Sequence, residues 1–457
     1  MLQVHAALQN LRGGVMLARS DVDGARAGFM KALALDPLYL PALDNLAQLD
    51  VIEKKPEDAR RRYEAALARD PKNAALMTAL AKHATRQGDT AGAMRWLEKA
   101  TRDNPNATAP SQLLAAYYLR AGEKQKALTL AQKLQASDTE NPEALALLAQ
   151  AQEESGQHDA ALESFGRLAA LQPQSAAIQL RIANLSLIRN RLDDALQAAR
   201  KASKIEPGNA DALVLQNSLL IEKGAHAEAA TLARAVQARQ PDSPLGFRLE
   251  GDVLMAQHKA QEALQRYQRG FELAPSGPMV IALHRALEAA DRHAEAAAQM
   301  RQWLDKHPGD QPTRIYFASA LLAAGDFKGS SQQYDIIVKA APDNVVALND
   351  LAWSLLQLKD ARALEHAEKA HRLAPKNPAV ADTLAAVLLE RGDAARALPL
   401  LKKAVESAPA AADIRLHLAQ ALFKAGDRKG ARAQCEQLLA LRDYRGQAEV
   451  RALMAQM

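Results

Sequence analysis

Prolines return through this chain at a nearly fixed interval. Pro37, Pro71 and Pro105 stand 34 residues apart, Thr139 fills the next position, and Pro173, Pro207, Pro241 and Pro275 resume the spacing. Pro308, Pro342, Pro375 and Pro409 then follow at steps of 33, 34, 33 and 34. Twelve residues before each mark stands a small residue, from Ala25, Ala59 and Ala93 through to Ala397 and Ala431, with Ser330 the single departure from alanine. A length of 457 residues would by itself suggest about three domains. A register held this long overrides that expectation and points to one tandem array.

Each period reads as two helices. In the stretch from Ala74 to Asn106, Leu76, Leu80 and Ala81 recur at helical spacing. Gly88 then stops the first helix, because a left-handed residue ends a helix and glycine has no Cβ to clash. Asp89 is placed to cap the second helix, whose inner side carries Ala93, Leu97 and Ala100. Asn104-Pro105 ends it, since proline disfavours helical geometry in the residue before it. The turn glycine returns at 122, 156, 224, 325, 392 and 426, and Asn190 takes the slot once. The composition agrees. Hydrophobic residues make up 48% of the chain but aromatic ones only 4%, so burial falls on Ala and Leu, both strong helix formers.

Paired helices on a 34-residue period, Leu-Ala or Leu-Gly in the first, Ala with an aromatic four residues on in the second, and a closing Pro resemble the tetratricopeptide repeat. The resemblance is explicit in Leu46-Ala47 with Ala59, Tyr63 and Pro71, in Ala25, Phe29 and Pro37, and in Ala161, Phe165 and Pro173. It implies an all-α, right-handed superhelical α-solenoid with a concave groove. We divide residues 1–445 into thirteen units: 6–39, 40–73, 74–107, 108–141, 142–175, 176–209, 210–243, 244–277, 278–310, 311–344, 345–377, 378–411 and 412–445. Residues 446–457 read as a short C-terminal capping helix. Small residues recur where first helices cross, at Gly13, Ala47, Ala81, Ala115, Ala149, Ala183, Gly251, Ala318, Ala352, Ala385 and Ala419. Asn217 and Arg285 break that rule, and the short unit 278–310 is expected to be the least regular.

Several classes of activity are disfavoured. One Cys permits neither a disulfide framework nor a thiolate metal cluster. No run of 18 apolar residues is present to span a membrane. The opening MLQVHAALQNLRGG lacks a basic segment leading into an apolar one, so it does not read as a secretory signal. It also lacks a polar cap, and the chain reads as a piece of a longer protein or as one starting on its first repeat. The 58 basic and 53 acidic side chains are interspersed, and Arg60-Arg61-Arg62 wraps around a helix, so nucleic-acid binding is disfavoured. GDFKGSS at 325–331 misses the phosphate-loop spacing. His366 and His371, five residues apart, diverge around a helix, so they do not form a zinc pair. Cys435 occupies an aromatic slot and reads as packing, and in Arg391-Gly392-Asp393 the Gly and Asp are the repeat's own stop and cap. We expect no catalytic residue, no cofactor and no metal.

Tetratricopeptide arrays bind partners mainly through the first helix of each unit, at positions 2, 5, 6, 9, 12 and 13. Carried onto this chain, these positions give the groove candidates Asn45, Gln48, Lys82, Arg86, Arg120, Arg181, Asn184, Tyr316, Asn349 and Trp353, with Asp44, Arg248, Asp252, Asp350 and Asp382 among their neighbours. Asn side chains at such places pair with both N–H and C=O of an extended peptide, and Trp353 is the best single anchor. The Lys and Asn set of the chaperone-binding subclass is not supplied by adjacent units. Polysaccharide binding would call for more aromatic platforms than Tyr316 and Trp353. Within the superfamily, PALDNLAQLDVIEKKPEDARRRYEAALARDPKN and VVALNDLAWSLLQLKDARALEHAEKAHRLAPKNPAVADTLA resemble the bacterial tetratricopeptide lipoproteins of the PEP-CTERM exopolysaccharide system. That resemblance implies a protein-binding scaffold of the cell envelope. The alternatives are a cytoplasmic location and an array that recruits substrate for a larger enzyme, such as a glycosyltransferase.

Overall fold

A computed structural model describes residues 2–441 and 443–457. Its described residues form twenty-seven helices and no strand. They fall into two compact units, Met1–Ala229 and Ala230–Met457. The first holds α1 (Leu2–Ala18), α2 (Val22–Leu35), α3 (Leu40–Ile52), α4 (Pro56–Arg69), α5 (Ala74–Arg86), α6 (Thr90–Asp103), α7 (Thr108–Arg120), α8 (Lys124–Ser137), α9 (Pro142–Glu154), α10 (His158–Leu171), α11 (Ala176–Ile188), α12 (Leu192–Ile205) and α13 (Ala210–Glu222). The division falls within α14 (His226–Arg239). The second unit continues with α15 (Pro244–Ala256), α16 (Ala260–Leu273), α17 (Gly277–Ala289), α18 (His293–Lys306), α19 (Gln311–Ala323), α20 (Phe327–Ala340), α21 (Val345–Gln357), α22 (Ala363–Leu373), α23 (Pro378–Glu390), α24 (Ala394–Ser407), α25 (Ala412–Lys424), α26 (Arg428–Leu439) and α27 (Gln447–Met454).

Local chemistry sets the helix ends. After α5 the chain turns left-handed at Gly88, φ 78°. The Asp89 N–H then donates to the Ala84 carbonyl at 2.9 Å and the Gly88 N–H to the Thr85 carbonyl at 3.0 Å, a Schellman closure. Asp89 caps α6 as the sequence implies, its Oδ1 accepting from the Gly92 N–H at 2.7 Å. The same left-handed conformation recurs once per period, and six of its occupants are not glycine: Ser20, Lys54, Asn190, His258, Asp291 and Lys359.

Packing follows the small-residue slots. Within each unit a helix packs on the next in sequence, and first helices also touch first helices, as α3 does α5 and α21 does α23. Ala25, Ala59, Ala93, Ala127, Ala161 and Ala195 are all fully buried. The crossing at Gly251 has no room for a larger residue: a Cβ there would lie 2.3 Å from the Tyr267 ring. Ser330 replaces the recurrent alanine by donating to the Ala318 carbonyl at 3.1 Å and pairing with the Ser354 hydroxyl, also at 3.1 Å. Cys435 is buried with Leu416 and Val450, as a packing residue should be.

Two expectations about the short unit need correction. The stretch 278–310 is not irregular: α17 has 13 residues and α18 has 14, like their neighbours. The missing residue lies in the link from α16 to α17, where only 274–276 intervene. The helix register therefore moves by one. His284, 4% exposed, takes the buried crossing slot assigned to Arg285, and Arg285 itself is exposed. Asn217 is buried at its crossing, at 1% exposure.

Candidate partner-binding groove

In the first unit, α3, α5 and α7 frame a cavity of about 510 Å³. Gln48, Lys82 and Arg86 line it with Asp44, Tyr63, Thr78 and Pro110, so three of the sequence candidates come together. Tyr63 reaches it from α4. Its ring is buried, and its hydroxyl donates to Asp44 Oδ1 at 2.7 Å. Burial and then the carboxylate push the phenol well above its ordinary pKa. Lys82 and Arg86 are exposed and enter no ion pair among the described residues, and the same holds for Arg120 on α7. Asn45 is not free for a partner, because its Nδ2 donates to Asn10 Oδ1 at 2.9 Å. Arg181 pairs with Glu153 at 3.2 Å, and Asn184 is exposed on the same helix; neither lines this cavity.

In the second unit the candidates form two further sites. Tyr316 on α19 meets His284 on α17, hydroxyl to Nδ1 at 3.1 Å with the rings edge to face at 5.4 Å. They border a cavity of about 890 Å³ with Met255, Arg285, Glu288 and His293. Burial lowers the His284 pKa and keeps its ring neutral. Nearby, Tyr267 gives its hydroxyl to Asp252 at 2.7 Å, repeating the Tyr63–Asp44 arrangement, and burial raises the Asp252 pKa.

The second site spans α21, α23 and α25. The Trp353 indole lies beside the His417 imidazole, ring centres 6.1 Å apart. His417 Nδ1 in turn meets Asp382 Oδ1 at 2.8 Å and Oδ2 at 2.9 Å. Asn349 donates from Nδ2 to Asp350 Oδ1 at 3.1 Å, and the other Asp350 oxygen accepts the Tyr334 hydroxyl at 2.9 Å. The Asn349 Oδ1 is buried and has no partner. His417, His284 and Arg285 were not among the sequence candidates. His417 sits at position 6 of the last unit, so the pattern contained the signal. The one-residue shift at α17 hid Arg285, which falls at position 9 once the helix is counted from Gly277, whereas His284 falls in the crossing slot, outside the groove positions.

These sites offer charges, amide and hydroxyl donors and ring faces held on rigid helices. With the fold, such an arrangement defines a protein-interaction scaffold of repeated helix pairs. One tetratricopeptide-repeat family description matches residues 50–117 and 388–457, and a second matches 113–176, 146–210, 180–244 and 317–378, together more than two thirds of the chain. The chain belongs to the tetratricopeptide repeat family. A TPR repeat-containing protein of Pseudomonas aeruginosa is 26% identical over 164 residues, covering 35% of this chain and 28% of that protein. Cellulose synthase 2 operon protein C of Komagataeibacter xylinus is 32% identical over 177 residues, covering 37% of this chain and 13% of that protein. The alignments thus span less than a third of either relative. Among solved structures, yeast Tom70 is 15% identical with a TM-score of 0.46, covering 93% of this chain and 96% of its own. The Cut9–Hcn1 structure is 16% identical with a TM-score of 0.41, covering 94% and 98%. No helix among the described residues is long and apolar enough to cross a membrane.

Proposed function

We propose that this chain is a non-enzymatic scaffold that grips an extended segment or helix of a partner protein along its first helices, within a bacterial envelope assembly linked to exopolysaccharide. We read residues 6–445 as thirteen binding units and 446–457 as their cap. The observation that carries the reading is Trp353. Its indole is half-buried beside His417 instead of sunk in the core, and Asn349, with an unmet acceptor, stands one turn before it. A large ring with a polar edge on a rigid helix is the usual hot-spot anchor of an interface. Gln48, Lys82 and Arg86 supply a second grip in the first unit.

The assembly is the finer part of the proposal. Support comes from the 32% identity to a cellulose synthase operon protein and from the two segments resembling PEP-CTERM-system lipoproteins. The alternative is a recruiting array within a larger enzyme, such as a glycosyltransferase, whose catalytic part lies elsewhere. To test the binding mode, a random twelve-residue peptide library is selected on the immobilised chain. Selected peptides are expected to lose at least tenfold in affinity on Trp353→Ala or Asn349→Ala, and to be unaffected by Lys402→Ala on the second helix α24. Equal affinity for all these variants would defeat the groove reading.

A further inference from the structure

Charge on the inward positions of α21, α23 and α25 is mostly acidic. Asp350, Asp382, Glu390 and Asp413 stand there against one lysine, Lys424, and His417. No lysine or arginine among the described residues pairs with Asp350, Asp382 or Asp413. Instead, Asp350 accepts from the Tyr334 hydroxyl at 2.9 Å, Asp413 from the Tyr444 hydroxyl at 2.9 Å, and Asp382 from His417 at 2.8 Å. The tyrosine hydroxyls orient Asp350 and Asp413 and leave their charge in place, whereas a protonated His417 neutralises Asp382 until the ring loses its proton. Acids that meet the second helices of the same stretch behave differently, for Glu368 on α22 pairs with Arg396 on α24 at 2.7 Å and Asp343, in the link before α21, with Lys369 on α22 at 3.2 Å. The chain as a whole is net positive at +5, so this local excess of acid does not come from composition.

Two independent features of the same face point to a ligand. Val346 is 65% exposed one turn before Asn349 and Asp350, so an apolar surface adjoins the acids. The Asn349 side-chain oxygen is shielded from water and accepts nothing, which is uncommon for a buried polar atom. Rotation of the Asn349 amide would bring this oxygen to the groove face, where a partner N–H would meet it.

We propose that this face binds a basic segment of a partner protein, an extended stretch bearing Lys or Arg, with one cationic head over the Trp353 indole and against Asp382. Cations favour the indole face over other rings, and a guanidinium or ammonium forms its strongest hydrogen bonds with a carboxylate. An acidic segment or a nucleic-acid phosphate would meet three like charges instead. The proposal rests on the groove reading above and adds the chemistry of the partner.

The test uses the full chain and two labelled nonapeptides, one alternating Arg with Ala and one alternating Glu with Ala, followed by fluorescence anisotropy at low and moderate salt. The basic peptide should bind at least tenfold tighter than the acidic one, and more weakly as salt rises. Trp353→Ala and Asp382→Asn should each weaken it at least fivefold. Asp413→Asn, on an exposed side chain, should weaken it less, and Lys82→Ala in the first unit should leave it unchanged. Helical melts of each variant keep folding defects apart from binding defects, and Trp353→Phe should retain part of the affinity. Equal or tighter binding of the acidic peptide, preference for a single-stranded oligonucleotide, or self-association abolished by Trp353→Ala would each overturn the proposal. If library peptides depend on Trp353 yet carry no basic residue, this inference falls and the groove reading stands. If they do not depend on Trp353, both fall.

Discussion

His417 shows how one side chain ties fold to function. Burial disfavours its charged ring, but the Asp382 carboxylate, helped by Asp413 and by Glu449 on α27, overrides that and holds its pKa above the ordinary value. A folded-state pKa raised above the unfolded one adds stability that is fully present below the unfolded pKa, about 6.5, and is lost as pH rises through the folded value. Thermal melts should therefore show wild type losing stability relative to His417→Gln as pH rises above about 6.5, while Asp382→Asn removes this dependence. Parallel curves for wild type and His417→Gln would contradict it. His284 has the opposite sign, because burial lowers its pKa and its contribution fades below about pH 6.5. Binding of a basic segment should strengthen over the same upper window, as the imidazolium beside Asp382 loses its charge. None of this coupling was legible in the sequence, since His417 and Asp382 are 35 residues apart and meet only through the stacking of α23 and α25.

At the scale of the element, the helix–turn–helix unit is written locally and only partly in glycine. The sequence located the left-handed turn at Gly88, Gly122 and five later glycines, and at Asn190. It could not locate the turn at Lys54, His258 or Lys359, because no residue preference marks those positions and the packing of the two flanking helices imposes the geometry. A lysine at φ 56° holds a conformation costing roughly 1 kcal/mol or more. Lys359→Gly should accordingly raise stability by about 0.5–1 kcal/mol in urea unfolding. Gly251→Ala should lower it by about 1–3 kcal/mol, since the new methyl group meets the Tyr267 ring. A neutral Gly251→Ala would show that the first and second helices of that pair do not approach as closely as described. The cap at Asp89 was legible for the opposite reason: its bond to the Gly92 N–H spans three residues and needs no tertiary contact.

For the molecule as a whole, the proline and alanine register was enough to announce an array of helix pairs, because a period that repeats in sequence must repeat in structure. The same register is what failed at α17, where one missing residue in the link before it moved the first-helix positions by one and exchanged Arg285 for His284, while Ala296 on α18 kept its buried slot. Of the proposed binding residues, Trp353, Asn349, Lys82 and Arg86 were legible as first-helix positions. Which of the candidates are already engaged, Asn45 with Asn10 and Arg181 with Glu153, required the structure. The central claim is that first helices, not second ones, hold the partner. Photo-crosslinking from a benzophenone placed at the centre of a library-selected peptide tests it most directly, with adducts located by mass spectrometry. The account predicts adducts on the first helices, on α21, α23 and α25 around Trp353 or on α3, α5 and α7 around Lys82. Adducts confined to second helices such as α22 and α24 would contradict it.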